Sequence, residues 1–320
     1  MSEYIKHQAS VPAHLGGKRL DQVATSLFAD FSRARLQQWM KEGRLTCNGQ
    51  TAQPKSKAVV GDQLVLSAEL EVQVADRPQA IDLDVVYEDD ALLVINKNAG
   101  LVVHPASGHA DGTLLNALLY HCPSLESIPR AGIVHRLDKD TSGLMVVAKN
   151  LTAQAGLVAQ LQDHSMGREY DAVVLGCFTS GGSVNAPIGR HPKDRKRQAV
   201  VASGGKPAIT HYRVVQRFRA HTHIRCQLET GRTHQIRVHM AHLHHPLVGD
   251  PLYGGRLKLP AGAGNALKHC LRNFPRQALH ARRLSLTHPI SKEALSWQVP
   301  LPDDLIELLT LLEEDQREGR

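Results

Sequence analysis

The decapeptide His135-Arg136-Leu137-Asp138-Lys139-Asp140-Thr141-Ser142-Gly143-Leu144 runs without a break into the apolar tetrapeptide Met145-Val146-Val147-Ala148. The apolar run reads as a buried strand, so the charged stretch before it is a loop that feeds a rigid element. Asp138 stands there beside His135, Arg136 and Lys139. Nearby positive charge favours an ionised carboxylate, which suits a nucleophile or a base better than a proton donor. The same pattern also describes a surface loop laced by salt bridges.

Around this element the chain reads as α+β. Val85-Val86-Tyr87, Leu92-Leu93-Val94-Ile95, Tyr170 to Leu175, His211 to Val215 and His223 to Leu228 are predicted strands. Thr113 to Tyr120 and Leu151 to Asp163 have helical patterns, and Asn96 to Gly100 forms a turn. Earlier in the chain the character differs. Leu20, Val23, Ala24 and Leu27 share one helical face, and Ser32 is the expected N-cap of a second helix, Arg33 to Lys41, that turns Leu36, Trp39 and Met40 inward. Leu45-Thr46-Cys47, the turn Asn48-Gly49 and a strand from Gln63 to Ser67 complete a small α+β unit. The expected boundaries are a small domain at 17–68, a polar linker at 69–83 around Pro78, a main domain at 84–312 and a charged tail at 313–320. The tail follows an amphipathic helix carrying Leu305, Leu308, Leu309 and Leu312 and is expected to fray.

Composition narrows the class. A hydrophobic fraction of 42% over 320 residues supports a packed core, and a net charge of +7 favours a polyanionic partner. Cys47, Cys122, Cys177, Cys226 and Cys270 form no CxxC pair, as expected of reduced thiols. Met1 to Ser10 lacks the apolar core of a signal peptide, and no apolar run approaches the ~20 residues that span a bilayer. A soluble cytoplasmic protein is expected, with a monomer as the default.

Two further segments are candidates for one site with Asp138. Arg168-Glu169-Tyr170 places a tyrosine at the beginning of a strand, and Thr230 to Met240 joins a Gly-Arg turn to a helix in which Arg237 lies a turn beyond Thr233. Each has a plain structural reading: a Tyr at the core margin, an Arg on a surface. A basic loop, His191 to Arg197, offers Lys193, Arg195, Lys196 and Arg197 for phosphate contact, as Arg282 and Arg283 do elsewhere; a mobile solvated loop explains it equally. Among the 19 histidines, His239, His242, His244 and His245 crowd one helix end, with His221 and His223 upstream. An i, i+3 His pair can hold zinc. There is no HExxH, however, and no carboxylate between Arg232 and His245; Asp250 is the nearest downstream. Neither metal nor cofactor is expected.

HRLDKDTSGL, then the REY strand, then TGRTHQIRVH resemble, in order and spacing, the signatures of the RluA-type pseudouridine synthases. GGKRLD, FSRARL, EGRLTCNG and VVGDQLVL resemble the S4 RNA-binding domain, with Cys47 standing where a β-branched residue is usual. HPLVGDPLYGG and LHARRLSLTHPI extend the synthase resemblance over nearly the whole chain. Asn98 departs from it, replacing the usual proline after Lys97 and loosening a turn at the site entrance.

The resemblance implies a catalytic domain around a mixed, largely antiparallel sheet, with Asp138 as catalytic aspartate, Tyr170 as site tyrosine and Arg237 as the partner of Asp138. Such an enzyme breaks the N1–C1′ bond of uridine and rejoins the base through C5, with no redox step. Asp138 would attack C1′ or take a proton from C2′, the two routes remaining open. Arg237 would hold it ionised, and Tyr170 would stack on the base. Arg136 would fill the vacated stack or grip phosphate, and Ile236 would floor the pocket. Arg19, Ser32, Arg33 and Arg35 would face RNA phosphates from the S4 domain. Within the family, the chain is most similar to members that modify an intersubunit-bridge stem-loop of large-subunit ribosomal RNA, so that RNA or its precursor subunit is the expected partner. Transfer RNA, another ribosomal site, and a non-catalytic assembly role are the alternatives.

Overall fold

The computed structural model describes residues 3–28, 31, 33–70, 77–105, 109–194 and 196–319, and the chain divides into two compact units, Met1–Ala75 and Asp76–Arg320. Ser32 and Arg195 lie outside the described residues.

In the first unit, β1 (Glu3–Ser10) precedes helices α1 (Leu20–Leu27) and α2 (Arg33–Lys41), followed by β2 (Leu45–Cys47), β3 (Gln50–Thr51) and β4 (Gln63–Leu70). Among the described residues the sheet has the order β1-β4-β2-β3, every pair antiparallel. The helical periodicity is fulfilled: Leu20, Val23 and Ala24 of α1 and Leu36, Trp39 and Met40 of α2 are buried against Leu45, Leu64 and Leu66. Asn48 and Gly49 take φ of 51° and 78°, the pair of left-handed residues that a tight hairpin turn needs. Beneath the helices Asp21 is fully buried. It accepts from both Arg19 and Arg33 and from Gln37 Nε2 at 2.6 Å. Its carboxyl is held well below the usual range, first by the Arg19 hydrogen bonds, against the cost of burial.

The second unit contains β5 (Val85–Glu88), β6 (Leu92–Lys97), α3 (Leu114–His121), β7 (Ser142–Ala148), α4 (Leu151–Gln162), β8 (Gly167–Leu175), β9 (Gly182–Asn185), β10 (Ile188–Arg190), β11 (Gln198–Val200), β12 (Ile209–Arg217), β13 (His221–Leu228), α5 (Gln235–His242), α6 (Asn265–Asn273), β14 (Leu279–Thr287), β15 (Ala294–Gln298) and α7 (Asp303–Glu318). Among the described residues nine of these strands make one sheet, β5-β6-β7-β14-β8-β13-β12-β9, with β15 beside β14. The β7–β14 pair is parallel and the others antiparallel, so the sheet is mixed and largely antiparallel, an α+β architecture. Every residue of β7 is buried, as its apolar run requires. Gly143 makes the parallel join possible: its φ is +114°, and a Cβ there would lie 2.2 Å from the Ala281 carbonyl oxygen.

Two sequence expectations change. The end of the chain is helical through Glu318 rather than frayed, because Asp315 is buried and accepts from Arg219 at 3.1 Å while Glu313 accepts from Gln216. The segment read as linker also takes part in structure: β4 extends to Leu70, the Arg77 carbonyl accepts from Asn116 Nδ2, and Gln79 donates its N–H to the Asn116 carbonyl and accepts the Gly112 N–H on Oε1.

Candidate active site

The HRLD loop is pinned before it reaches Asp138. His135 Nε2 accepts the Val146 N–H at 3.1 Å, and burial, helped by the charge of Arg168, lowers this imidazole to about 3. It is therefore a neutral acceptor tied to β7. On the far side of Asp138, Lys97 is buried, and its ammonium donates to the carbonyls of Asn98, Leu101 and Lys139 at 2.8 to 2.9 Å. Lys97 thereby clamps the turn carrying Asn98 to the HRLD loop. Arg276 Nη1 donates to the Asp140 carbonyl and Gln277 to the Thr141 hydroxyl, so residues just before β14 hold the same loop.

Asp138 emerges from these restraints with its side chain 17% exposed and accepts from Arg237 Nη1 at 2.9 Å. Arg237, on the buried face of α5, turns its other edge to Asp250, with Nε and Nη2 at 2.7 and 2.9 Å from the two carboxylate oxygens. Burial disfavours the guanidinium charge, but the two carboxylates outweigh it and hold Arg237 protonated. Asp250 Oδ1 also accepts the N–H groups of Leu252 and Tyr253. This fixed bidentate pair aims the remaining Nη1 at Asp138.

The turn before α5 is equally restrained. Gln235 accepts from the Thr230 hydroxyl and the Arg232 N–H, and donates to the Ile209 carbonyl and the Thr210 hydroxyl. His234 sits in the left-handed region at φ 57°, a costly backbone for a non-glycine residue. That conformation brings its Nε2 to 3.8 Å from Asp138 Oδ1 and its Nδ1 to 2.8 Å from the Tyr253 hydroxyl.

Asp138 and Arg237 thus come together, and Tyr170, Arg136 and Ile236 line the same cleft, of about 630 Å³. Arg136 is exposed, Ile236 and Tyr170 are buried. Burial raises the Tyr170 hydroxyl, with Asp138 adding to the effect and Arg168 opposing it. The other basic residues are placed elsewhere. Lys193 and Lys196 are exposed on the β10–β11 loop, which is ordered by His191 Nδ1 and Asp194; Arg197 turns inward, its guanidinium carbon 5.2 Å from the Tyr253 ring centre. In the first unit Arg19 and Arg33 are engaged by Asp21, and Arg35 stands over the Trp39 ring. Arg282 meets Asp171, and Arg283 meets Ser296. The clustered histidines bind protein groups: His239 meets Thr210 and the Ala186 carbonyl, and His245 meets the Leu175 carbonyl. No set of three metal-ligating side chains converges among the described residues.

Asp250, Tyr253, His234, Gln235 and Lys97 were not among the residues picked out from sequence. For Asp250 a signal existed: an Asp in the turn sequence Gly-Asp-Pro, able to cap the N–H groups that follow.

An Asp138–Arg237–Asp250 chain at a nucleotide-sized cleft of a mixed sheet has the make-up of an enzyme active site. Residues 91–242 match RNA pseudouridylate synthase, and residues 18–64 match the S4 domain. The ribosomal large subunit pseudouridine synthase D of Pseudomonas aeruginosa is 58% identical over 316 residues, 99% of this chain and 98% of the relative. The protein of the same description from Escherichia coli is 51% identical over 321 residues, 100% of this chain and 98% of the relative. The structure of human RNA pseudouridylate synthase domain containing 4 superposes with a TM-score of 0.58 at 26% identity, covering 72% of this chain and 92% of that one. The chain belongs to the RluA-type RNA pseudouridine synthase family. It is an RNA pseudouridine synthase.

Proposed function

We propose that the enzyme converts specific uridines of large-subunit ribosomal RNA to pseudouridine, in an intersubunit-bridge stem-loop, with Asp138 as the reacting carboxylate. The substrate assignment is supported by two full-length relatives described as large-subunit pseudouridine synthases. The observation that carries the chemistry is the 2.9 Å contact of Asp138 with an Arg237 already fixed by Asp250. A carboxylate so held is aimed at C1′ or the C2′ proton without reorganising during the reaction.

Tyr170, protonated at neutral pH, presents a ring for the uracil to stack on, and the C5 proton leaves through water beside its hydroxyl. The flipped nucleotide passes Arg136 at the cleft rim, and Ile236 supplies an apolar floor. Arg19, Ser32, Arg33 and Arg35 of the S4 unit and Lys193, Arg195 and Lys196 between β10 and β11 contribute phosphate contacts, giving salt-sensitive binding, whereas Arg197 is turned onto the Tyr253 ring. The S4 unit raises the local RNA concentration by tethering. The enzyme works in the cytoplasm, where the large subunit is assembled; among the described residues no helix is long and apolar enough to cross a membrane.

Carbodiimide mapping of pseudouridine in RNA from cells carrying the wild-type protein or Asp138→Asn tests this. Discrete large-subunit sites that disappear with the variant are expected. Sites lost only from transfer RNA would overturn the substrate assignment, and unchanged modification everywhere would overturn the role of Asp138.

A further inference from the structure

Arg168 is a buried cation with no anion. It lies on β8 two residues before Tyr170, so both side chains leave the same face of the strand. It lines the cleft with Asp138, yet only 6% of it is exposed. Its Nη2 donates to the Glu229 carbonyl at 3.1 Å, while its Nε is buried without a partner, and no carboxylate lies within ion-pair distance among the described residues. Other buried charges are better compensated: Asp21 meets two arginines, Arg237 two aspartates and Arg276 Asp304, while the Lys97 ammonium is satisfied by three carbonyls. An uncompensated buried guanidinium is costly, commonly by several kcal/mol. The chain also makes room for it, since a Cβ on Gly231 would lie 2.7 Å from Nη1.

We propose that the missing anion is the uracil itself: Arg168 binds the base as it detaches from C1′ and holds the negative charge left on it. The inference rests on the Asp138 chemistry proposed above but not on the choice of route. When the N1–C1′ bond breaks, its electron pair stays with the base, whose charge spreads over N1 and the two carbonyl oxygens. In one route the Asp138 carboxylate bonds to C1′; in the other it takes the C2′ proton and leaves a C1′–C2′ double bond. In both, the electrons return when C5 bonds to C1′, as Asp138 leaves C1′ or gives its proton back to C2′. The C5 hydrogen then departs as a proton and N1 gains one. A cation at the face where Tyr170 lies is needed only while the base is detached, so it lowers the barrier more than it strengthens binding.

Single-turnover rates with the full-length protein and a large-subunit RNA transcript, containing either uridine or 5-fluorouridine, test this. Fluorine at C5 stabilises the departing anion and should replace part of the help from Arg168. Arg168→Met should slow consumption of N1-linked uridine about 100-fold, with RNA affinity within about threefold of wild type. On 5-fluorouridine the loss should shrink to below about tenfold. Equal losses on both substrates, or an Arg168→Met rate on uridine within about threefold of wild type, would overturn the proposal. Should Arg168→Met fail to fold, Gly231→Ala decides, because it displaces Nη1 while keeping the charge. A slowing of about tenfold on uridine supports the proposal, and an unchanged rate overturns it. Asp138→Asn run alongside separates the two readings. An active Asp138→Asn sinks the aspartate chemistry, whereas an inactive one beside an unaffected Arg168→Met sinks only the role of Arg168.

Discussion

Tyr253 and His234 are joined by a 2.8 Å hydrogen bond that fixes how His234 faces Asp138. The Tyr253 hydroxyl also accepts the Gln198 N–H at 2.9 Å; with its own proton given to His234 Nδ1, the imidazole would carry Nε2–H toward the carboxylate. The Tyr253 ring also carries the guanidiniums of Arg237 and Arg197 at 5.1 and 5.2 Å from its centre. Tyr253→Phe keeps the ring and removes the hydroxyl. The expected result is a turnover rate about tenfold lower with little change in KM, since the loss concerns alignment of Asp138. Nitrogen chemical shifts of His234 should move toward the other tautomer; an unshifted spectrum with full activity would refute the link.

Asp250→Asn breaks the bidentate grip on Arg237. One charge of a buried network is lost while Arg237 stays, a change that costs about 3–5 kcal/mol in comparable sites. Urea denaturation should show a loss of that order in the second unit, together with a drop of about 100-fold or more in turnover. A stable, fully active variant would show that Arg237 is aimed by something else.

Lys97→Met removes the donor shared by the Asn98, Leu101 and Lys139 carbonyls. Leaving them unsatisfied should cost about 3 kcal/mol or more. The HRLD loop should become the first segment to exchange amide hydrogens, with protection at Gly100 lost, because its N–H bonds to Lys139.

Acid should weaken the second unit in a defined window. Burial lowers His135 to about 3 and His221 and His280 to about 4, each below the ordinary value of 6.5. The unfolded chain therefore takes up protons first, and stability falls as pH drops from about 6.5 toward 4, by at most about 1.4 kcal/mol per pH unit for each histidine. Above pH 7 these groups contribute no slope. His221, with both ring nitrogens buried and unpartnered among the described residues, isolates one contribution. His221→Leu should flatten the acid limb measured by urea midpoints, and an unchanged limb would count against it.

Legibility in the sequence followed the range of the interactions. Leu20, Val23 and Leu36 announce their helices through local periodicity, and Met145 to Ala148 announce β7 by being uniformly apolar. The charged loop before β7 was readable too, and its matched segments led to Tyr170 and Arg237. By contrast, β14 is hidden in the sequence: Leu284 and Leu286 alternate inward, but Arg282 and Arg283 interrupt the pattern. Asp250 and Tyr253 belong to a loop whose partners, Arg237 and His234, are set by tertiary geometry rather than by any local rule. Arg168 reads as an ordinary strand charge until its burial is seen. Arg19 and Arg33 read as a basic surface, but their contacts with Asp21 show them also holding the helices together.

The place of β14 between β7 and β8 has a consequence for synthesis. The chain makes β7 and β8 early and the strand that belongs between them more than a hundred residues later. While the protein is being translated, the middle of the sheet stands open, and neither Arg276 nor Gln277 has yet reached the loop that carries Asp138. Assembly of the cleft must wait for long-range strand pairing, a slow kind of folding. A nascent chain that holds every signature residue is therefore still a blank instrument. It becomes able to modify RNA only when nearly all of it has left the ribosome that made it.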